Sequence, residues 1–366
     1  MGPFSAVVTT GIYCRPGCGA RPKPSNVVRF PLAATAEAAG FRACLQCRPY
    51  RTPPALPLGI GSALVCRAVR LILDGALDGQ TEKALATELG VSPRHLRRLF
   101  TGHLGVTPNG LARSARLHFA RMLLDDTDLT VSEIAFAAGF GSTRQLNRAC
   151  RDVFRLTPRE LRTKRRATDR LVADGGLALR LPSEDPVDWP RLVQELRRRA
   201  MPGVEGVKDD TYRRTIVAAG QPGLLELGPG PDDHLVLRLD LPGWTELIHL
   251  VAQARRLAGI NNSDGADGIG VWDPFELDVR AALGRDPFAP EVTRTMGRIA
   301  ARWGEPTPRP AIDGLRTTFP TPHILSNAPL EQLKVAATRA AEVRAVAAAA
   351  DSRQASSPTP VTSMGR

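Results

Sequence analysis

The chain has 366 residues, 43% of them hydrophobic but only 5% aromatic, and a formal net charge of +12. That length allows two or three domains, and no apolar run reaches the ~18 residues of a membrane span. The charge is divided unevenly: residues 1–170 hold 26 Lys/Arg against 12 Asp/Glu and the remainder 23 against 25, so nucleic acid is expected at the first half. Six cysteines, four of them clustered, argue for a reducing cytosol over a secreted disulfide framework. With no signal peptide the expected compartment is the cytoplasm.

The clustered cysteines are Cys14, Cys18, Cys44 and Cys47: a C-x3-C pair, 25 intervening residues, and a C-x2-C pair. Each pair brings two sulfurs onto one tight turn, and the excursion folds back to close four thiolates on one ion. Four soft ligands favour Zn2+. Such a site can serve folding alone, because a domain of about 50 residues has too little core to hold itself.

The flanking residues point further. Thr9-Thr10-Gly11-Ile12-Tyr13-Cys14-Arg15-Pro16-Gly17-Cys18 and Ala39-Gly40-Phe41-Arg42-Ala43-Cys44-Leu45-Gln46-Cys47-Arg48-Pro49 closely resemble the zinc domain of the adaptive-response Ada regulators. The resemblance implies that Cys14 is both ligand and nucleophile. It would take a methyl group irreversibly from a DNA methylphosphotriester and so turn the protein into a transcriptional activator. The resemblance also implies that Thr10, Arg21 and Arg42 face the DNA backbone. Leu45 and Gln46 replace basic residues usual in the family, so weaker phosphate contacts are expected there. The chemistry suits the residues, since a coordinated thiol is already a thiolate at neutral pH.

Residues 51–59 read as a proline-rich linker. Helical spacing follows over residues 65–77, with Leu64, Val65, Ala68, Leu71 and Ile72 on one face. The chain then repeats weakly at an offset of 50: Ser92 with Ser142, Leu96 with Leu146, Phe100 with Cys150, Thr107-Pro108 with Thr157-Pro158. Each copy reads as a helix, a glycine turn (Gly90, Gly139) and a second helix capped by Ser92 or Ser142. Arg94, His95, Arg97 and Arg98 in the first copy, and Thr143, Arg144, Gln145 and Arg148 in the second, are expected to point outward. These residue types read base edges or hold phosphates. Two such units joined by a long helix through Leu111–Leu124 resemble the AraC/XylS DNA-binding domain. One chain would then span two major-groove segments about 34 Å apart, with no dimer required. Cys150 stands where that family prefers Phe, which predicts a looser second unit. Arg162-Thr163-Lys164-Arg165-Arg166 ends this domain and reads as a solvated linker, with contact to DNA phosphates the alternative.

The second half alternates short strands and helices: strands near Leu177–Leu181, Arg213–Ala218, Gly223–Leu227 and His234–Leu241, helices at Trp189–Ala200 and Gly243–Ala258. Pro202-Gly203-Val204-Glu205 and Asp210-Thr211-Tyr212-Arg213-Arg214-Thr215 resemble the N-terminal domain of AlkA-type 3-methyladenine DNA glycosylases. Trp272-Asp273-Pro274-Phe275-Glu276 matches the opening of their helical catalytic domain. The match then weakens at Arg285-Asp286-Pro287-Phe288, and the family's helix-hairpin-helix and catalytic aspartate would fall after Ala345–Ala350. Gly268-Ile269-Gly270 imitates the hairpin but reads as a loop, and Asp273 reads as a helix cap. Glycosylase activity is therefore not expected.

The expected fold is multidomain α+β. It comprises a small four-cysteine zinc domain (1–52), an all-α tandem helix-turn-helix domain (60–166) and an α+β domain like the AlkA N-terminal domain (176–262). A degenerate helical C-terminus (270–350) and a disordered tail (351–366) complete it. The expected function is a single-turnover methyl acceptor at Cys14 that regulates transcription of the alkylation response. Its partner is double-stranded DNA, with RNA polymerase a further candidate; no membrane partner is expected, and the protein should act as a monomer on DNA. Two rivals are a regulator that also excises alkylated bases, and a DNA-binding regulator whose zinc is purely structural.

Overall fold

A computed structural model describes residues 4–51, 62–73, 75–78, 80–166, 169–171, 176–183, 186–230, 234–245, 247–260, 270–307 and 313–355. The amino-terminal part is a four-stranded sheet, β1 (Phe4–Val7), β2 (Ile12–Cys14), β3 (Val27–Phe30) and β4 (Arg42–Ala43), in the order β3-β1-β2-β4, with one helix, α1 (Ala33–Ala38). Cysteine spacing alone had not indicated this sheet.

Seven helices follow: α2 (Ala63–Leu73), α3 (Glu82–Glu88), α4 (Pro93–Leu104), α5 (Pro108–Asp126), α6 (Val131–Ala137), α7 (Thr143–Phe154) and α8 (Pro158–Thr163). Their starts are set by side-chain caps. Thr81, Ser92, Thr107, Thr130, Ser142 and Thr157 each accept a bond from a backbone N–H three residues on, satisfying a donor the helix cannot. Gly90 and Gly139 take left-handed φ values of 70° and 75° at the two turns, which glycine adopts without steric cost. On α2 the buried face is Val65, Ala68, Val69 and Ile72; Leu64 and Leu71, expected on that face, are half-buried at its margin.

Beyond lies a five-stranded antiparallel sheet, β5 (Leu177–Leu181), β6 (Glu205–Lys208), β7 (Thr211–Ala218), β8 (Gln221–Pro229) and β9 (Leu235–Asp240), in the order β5-β9-β8-β7-β6, with helices α9 (Trp189–Arg199) and α10 (Leu247–Leu257). Strand β6 had no sequence prediction. It is made by a two-residue hairpin at Asp209-Asp210, both at positive φ, and Ala219-Gly220 closes the next hairpin in the same way. Such turns match the twist of the paired strands.

Helices α11 (Pro274–Leu283), α12 (Pro290–Trp303), α13 (Pro322–Ser326) and α14 (Ala337–Ala355) form the helical C-terminus. Phe275, Val279, Met296, Ile299, Leu325, Val343 and Ala347 bury a core of their own, shared with Met201 and Val204. Helix α14 runs to Ala355, so the stretch expected to be a tail from residue 351 begins as helix; residues 356–366 lie outside the described ones. Gly268 and Ile269 also lie outside them. Asp273 caps α11 through Phe275 N at 2.8 Å, as expected.

A buried ionic cluster welds this segment to the sheet. Arg214 on β7 lies 2.6 Å from Glu205, bonds Glu276 on α11, and stands over the Trp272 ring at 5.1 Å. Burial, with Glu205 and Asp273 nearby and Arg214 opposing, pushes the Glu276 carboxyl up to about 7. The folded protein thus keeps a proton that the unfolded chain releases near the ordinary carboxylate value of about 4.3. Stability from this site should be full at low pH and decline as pH rises from ~4.3 to ~7. Glu276→Gln should flatten that slope, which denaturant unfolding at pH 5 and pH 8 would measure.

Candidate metal and DNA site

Parallel pairing of β2 with β4 sets Ile12 against Arg42 and Tyr13 against Ala43. One residue further on, Cys14 comes beside Cys44, whose N–H bonds the Tyr13 carbonyl at 3.0 Å. Gly17, at φ 74°, turns the chain so that Cys18 returns to the same place. All four sulfurs lie within 4.8 Å of one another. Zn–S bonds of about 2.3 Å would set tetrahedral sulfurs about 3.8 Å apart, so the thiols fit the ion.

Their electrostatics agree. Hydrogen bonding from Cys14, helped by the Arg15 N–H and the other thiols, draws Cys47 down to about 5 against the effect of burial. The same bond, together with burial, pushes Cys14 far up. The thiols by themselves thus favour a charge on Cys47, although sequence resemblance assigns the nucleophile to Cys14. A cation removes that competition, because it favours the thiolate at every position. Cys14 is also the enclosed member of the set; the other three are half-buried.

Thr10 lies exposed in the β1–β2 turn, and Arg42, half-buried, bonds the Gly11 carbonyl through its N–H at 2.8 Å, so both stand at one end of the cysteine turn. Arg21 is exposed on the excursion between the cysteine pairs. In the helical domain Arg94, Arg97 and Arg98 are exposed on α4, with His95 half-buried. Arg97 is partly committed, since its Nε donates to buried Glu82 at 2.6 Å; Arg98 and His95 meet at 3.0 Å. On α7, Arg144, Gln145 and Arg148 are exposed and Thr143 is half-buried. Gln145 accepts the Gly141 N–H at 3.1 Å. Cys150 is buried beneath these residues with Leu146 and Phe154.

The basic run that begins in the last turn of α8 is not the solvated linker expected. Arg162 donates to the Leu129 carbonyl, Arg165 to Asp128 at 2.9 Å, and Arg166 to the Gln46 carbonyl at 3.3 Å. The reason is tertiary: the run doubles back over the end of α5 and the cysteine turn. Sequence reasoning also missed the joint between the two domains. Tyr13 donates to Glu37 at 2.6 Å, and Glu37 lies 2.6 Å from His118 on α5. Tyr50 donates to Asp125 at 2.8 Å and stacks edge-on against Phe154 at 6.0 Å. Ala6, Tyr13, Ala43 and Tyr50 share one buried cluster with Leu117, Leu146 and Phe154. One local signal was available: adjacent aspartates at a helix C-terminus, where the dipole disfavours them.

Three family models match: the metal binding domain of Ada over residues 3–50, a helix-turn-helix domain over 85–164, and the AlkA N-terminal domain over 178–265. A protein of Mycobacterium tuberculosis, named a probable bifunctional transcriptional activator/DNA repair enzyme AlkA, is 35% identical over 94% of this chain and 74% of its own. The chain belongs to the Ada/AlkA family of bifunctional transcriptional activators and DNA repair proteins. The Escherichia coli family member, bifunctional transcriptional activator/DNA repair enzyme Ada, is 32% identical over 43% of each chain. A solved structure of a methylated N-Ada/DNA complex is 38% identical over 31% of this chain and 84% of that one, at a TM-score of 0.14.

Within this family the metal of the four-cysteine cluster is zinc, and the helical domain binds DNA. Among the described residues no helix is long and apolar enough to cross a membrane.

Proposed function

We propose that the protein senses alkylated DNA through Cys14 and answers by binding promoter DNA more tightly. The observation that carries this reading is the closure of Cys14, Cys18, Cys44 and Cys47 within 4.8 Å, on a domain whose core is continuous with the second helix-turn-helix unit. Bound zinc would keep all four thiols ionised at neutral pH. The Cys14 sulfur then attacks the methyl carbon of a phosphotriester; the S–C bond forms and the O–C bond breaks. Its electron pair leaves on the phosphate oxygen, and Cys14 is left as an uncharged thioether. A methylated phosphate has no charge of its own, so the anionic turn repels it less than its neighbours.

The turn thereby loses one negative charge. One charge about 10 Å from a phosphate in water is worth roughly 0.4 kcal/mol. Over several screened phosphates the gain is about 1 kcal/mol, roughly tenfold in affinity. Thr10, Arg21 and Arg42 would hold the damaged backbone, while the outward residues of α4 and α7 read the promoter. Arg144→Ala should weaken promoter binding about tenfold and unequally across sequences if it reads a base. A uniform loss with a salt slope reduced by about 1 would mark a phosphate contact. Fluorescence anisotropy on a panel of duplexes separates the two. Two reading helices on one chain make a second copy unnecessary, and the work is that of a cytoplasmic protein.

Mass spectrometry after incubation with methylphosphotriester DNA tests the assignment. One added methyl on Cys14 is expected; a label elsewhere, or none, overturns it. A second reading, excision of alkylated bases, is favoured by the name of the M. tuberculosis relative and by the packed helices α11–α14. Release of 3-methyladenine from alkylated DNA by the purified protein would establish it.

A further inference from the structure

Arg48 stands one residue past Cys47, with its backbone at φ 52°. That region is costly for a residue bearing a side chain, so something must hold it. Its N–H bonds the Cys44 carbonyl at 3.0 Å. Its buried guanidinium lies 2.6 Å from Asp169 and 3.7 Å from Asp125. One residue is thus fastened at one end to the cysteine turn and at the other to carboxylates beyond it.

Those carboxylates are unusually placed. Asp125 and Asp126 close the C-terminus of α5 and are fully buried, where the helix dipole opposes them. Guanidiniums from three parts of the chain gather on them. Arg51, from the cysteine-turn side, is 2.6 Å from Asp126; Arg121, one turn back on α5, is 2.6 Å from Asp125; Arg180 on β5 is 3.2 Å from Asp126. Asp169 also accepts the Arg166 N–H at 2.6 Å, and Leu171 N–H bonds the Asp126 carbonyl at 3.1 Å. The Tyr50 ring, two residues from Arg48, faces Arg121 at 5.2 Å and Phe154 of α7 at 6.0 Å. Displacing Arg48 would take from Asp169 its nearest guanidinium, leaving Arg51 at 3.9 Å, and would remove one of the cations around buried Asp125, a cost that burial enlarges. A movement of the cysteine turn is therefore felt at the end of α5.

We propose that Arg48 is the tie through which the state of the cysteine turn controls the order of α5 and of the second helix-turn-helix unit, α6–α7. This rests on the four cysteines holding a metal and not on methyl transfer, so it stands even if Cys14 accepts no methyl. The competing routes are the apolar core shared by the two domains and the other bonds across it, Arg51 to Asp126, Tyr50 to Asp125 and Tyr13 through Glu37 to His118, and one substitution separates Arg48 from all of them. Glycine adopts φ 52° freely, so Arg48→Gly keeps the turn and removes the side chain that reaches the carboxylates.

The test is hydrogen exchange on the full-length zinc-loaded protein, before and after the metal is stripped with a chelator. In the unmodified protein, stripping should accelerate exchange in the C-terminal half of α5 and in α7 by about tenfold. In R48G, with its zinc retained, the same treatment should move those amides by less than about twofold. R48G/D169N, which also removes the carboxylate that R48G strands, should behave like R48G and so separates lost coupling from general loosening. A full response in R48G would assign the coupling to the routes that remain and overturn the proposal. Helices α5–α7 indifferent to stripping in the unmodified protein would overturn it too.

Discussion

Cys14→Ser is expected to abolish methyl uptake from phosphotriester DNA, leaving no added methyl in the mass spectrum. A serine hydroxyl stays protonated where a coordinated thiol would be ionised, so it is both a weak nucleophile and a weak ligand. The roughly tenfold gain in promoter affinity on alkylation should disappear with it. Loss of a metal ligand is a separate consequence, and Cys18→Ser serves as its control. Both variants lose one of the four thiols that lie within 4.8 Å, but only the first loses the acceptor. If zinc were purely structural, C14S that still folds would respond to alkylation like the unmodified protein. The comparison therefore distinguishes a chemical role for Cys14 from a folding role.

Arg214→Ala should be the most damaging single substitution in the α+β domain. Its side chain is fully buried, held by Glu205 on one side and Glu276 on the other, with Trp272 beneath it. Tyr212 and Arg280 complete the surroundings, Tyr212 donating to Glu205 at 2.8 Å and Arg280 lying 3.9 Å from it. Removing the guanidinium leaves buried Glu276 and part-buried Glu205 without their shared cation, with only the more distant Arg280 left near Glu205. Breaking a buried pair in this way costs about 3–5 kcal/mol. The loss should appear in urea unfolding followed by tryptophan fluorescence, because Trp272 belongs to the site. Adding Glu276→Gln should recover part of it, since one stranded charge is then gone. A loss below about 1 kcal/mol would show that water reaches the cluster.

What the sequence reveals follows from how far apart the interacting residues lie. Ser92 and Ser142 are legible as caps because the bond they make closes over three residues. The cysteine pairs are legible because C-x3-C and C-x2-C each close within a turn. Glu276 and Arg214 were not, since nothing local connects them across 62 residues. The basic run at Arg162–Arg166 was misread for the same reason: charged residues in a row describe a solvated segment unless distant carbonyls and carboxylates are known to meet them.

The sequence by itself determined the metal-ligand set and the two helix-turn-helix units, encoded in spacings of a few residues, and the resemblance of short stretches such as Asp210–Thr215 carried the kinship of the α+β domain. Only the tertiary structure decided that Cys14 is the enclosed thiol and that the cysteine domain shares its core with the second reading unit. It alone brought Arg48, Asp125, Asp169 and Arg180 into one joint. The physical reason is that hydrogen-bonded turns and ligand pairs are short-range. Buried charges are satisfied by whichever partners the packed chain delivers, and their positions in the sequence carry no mark of it.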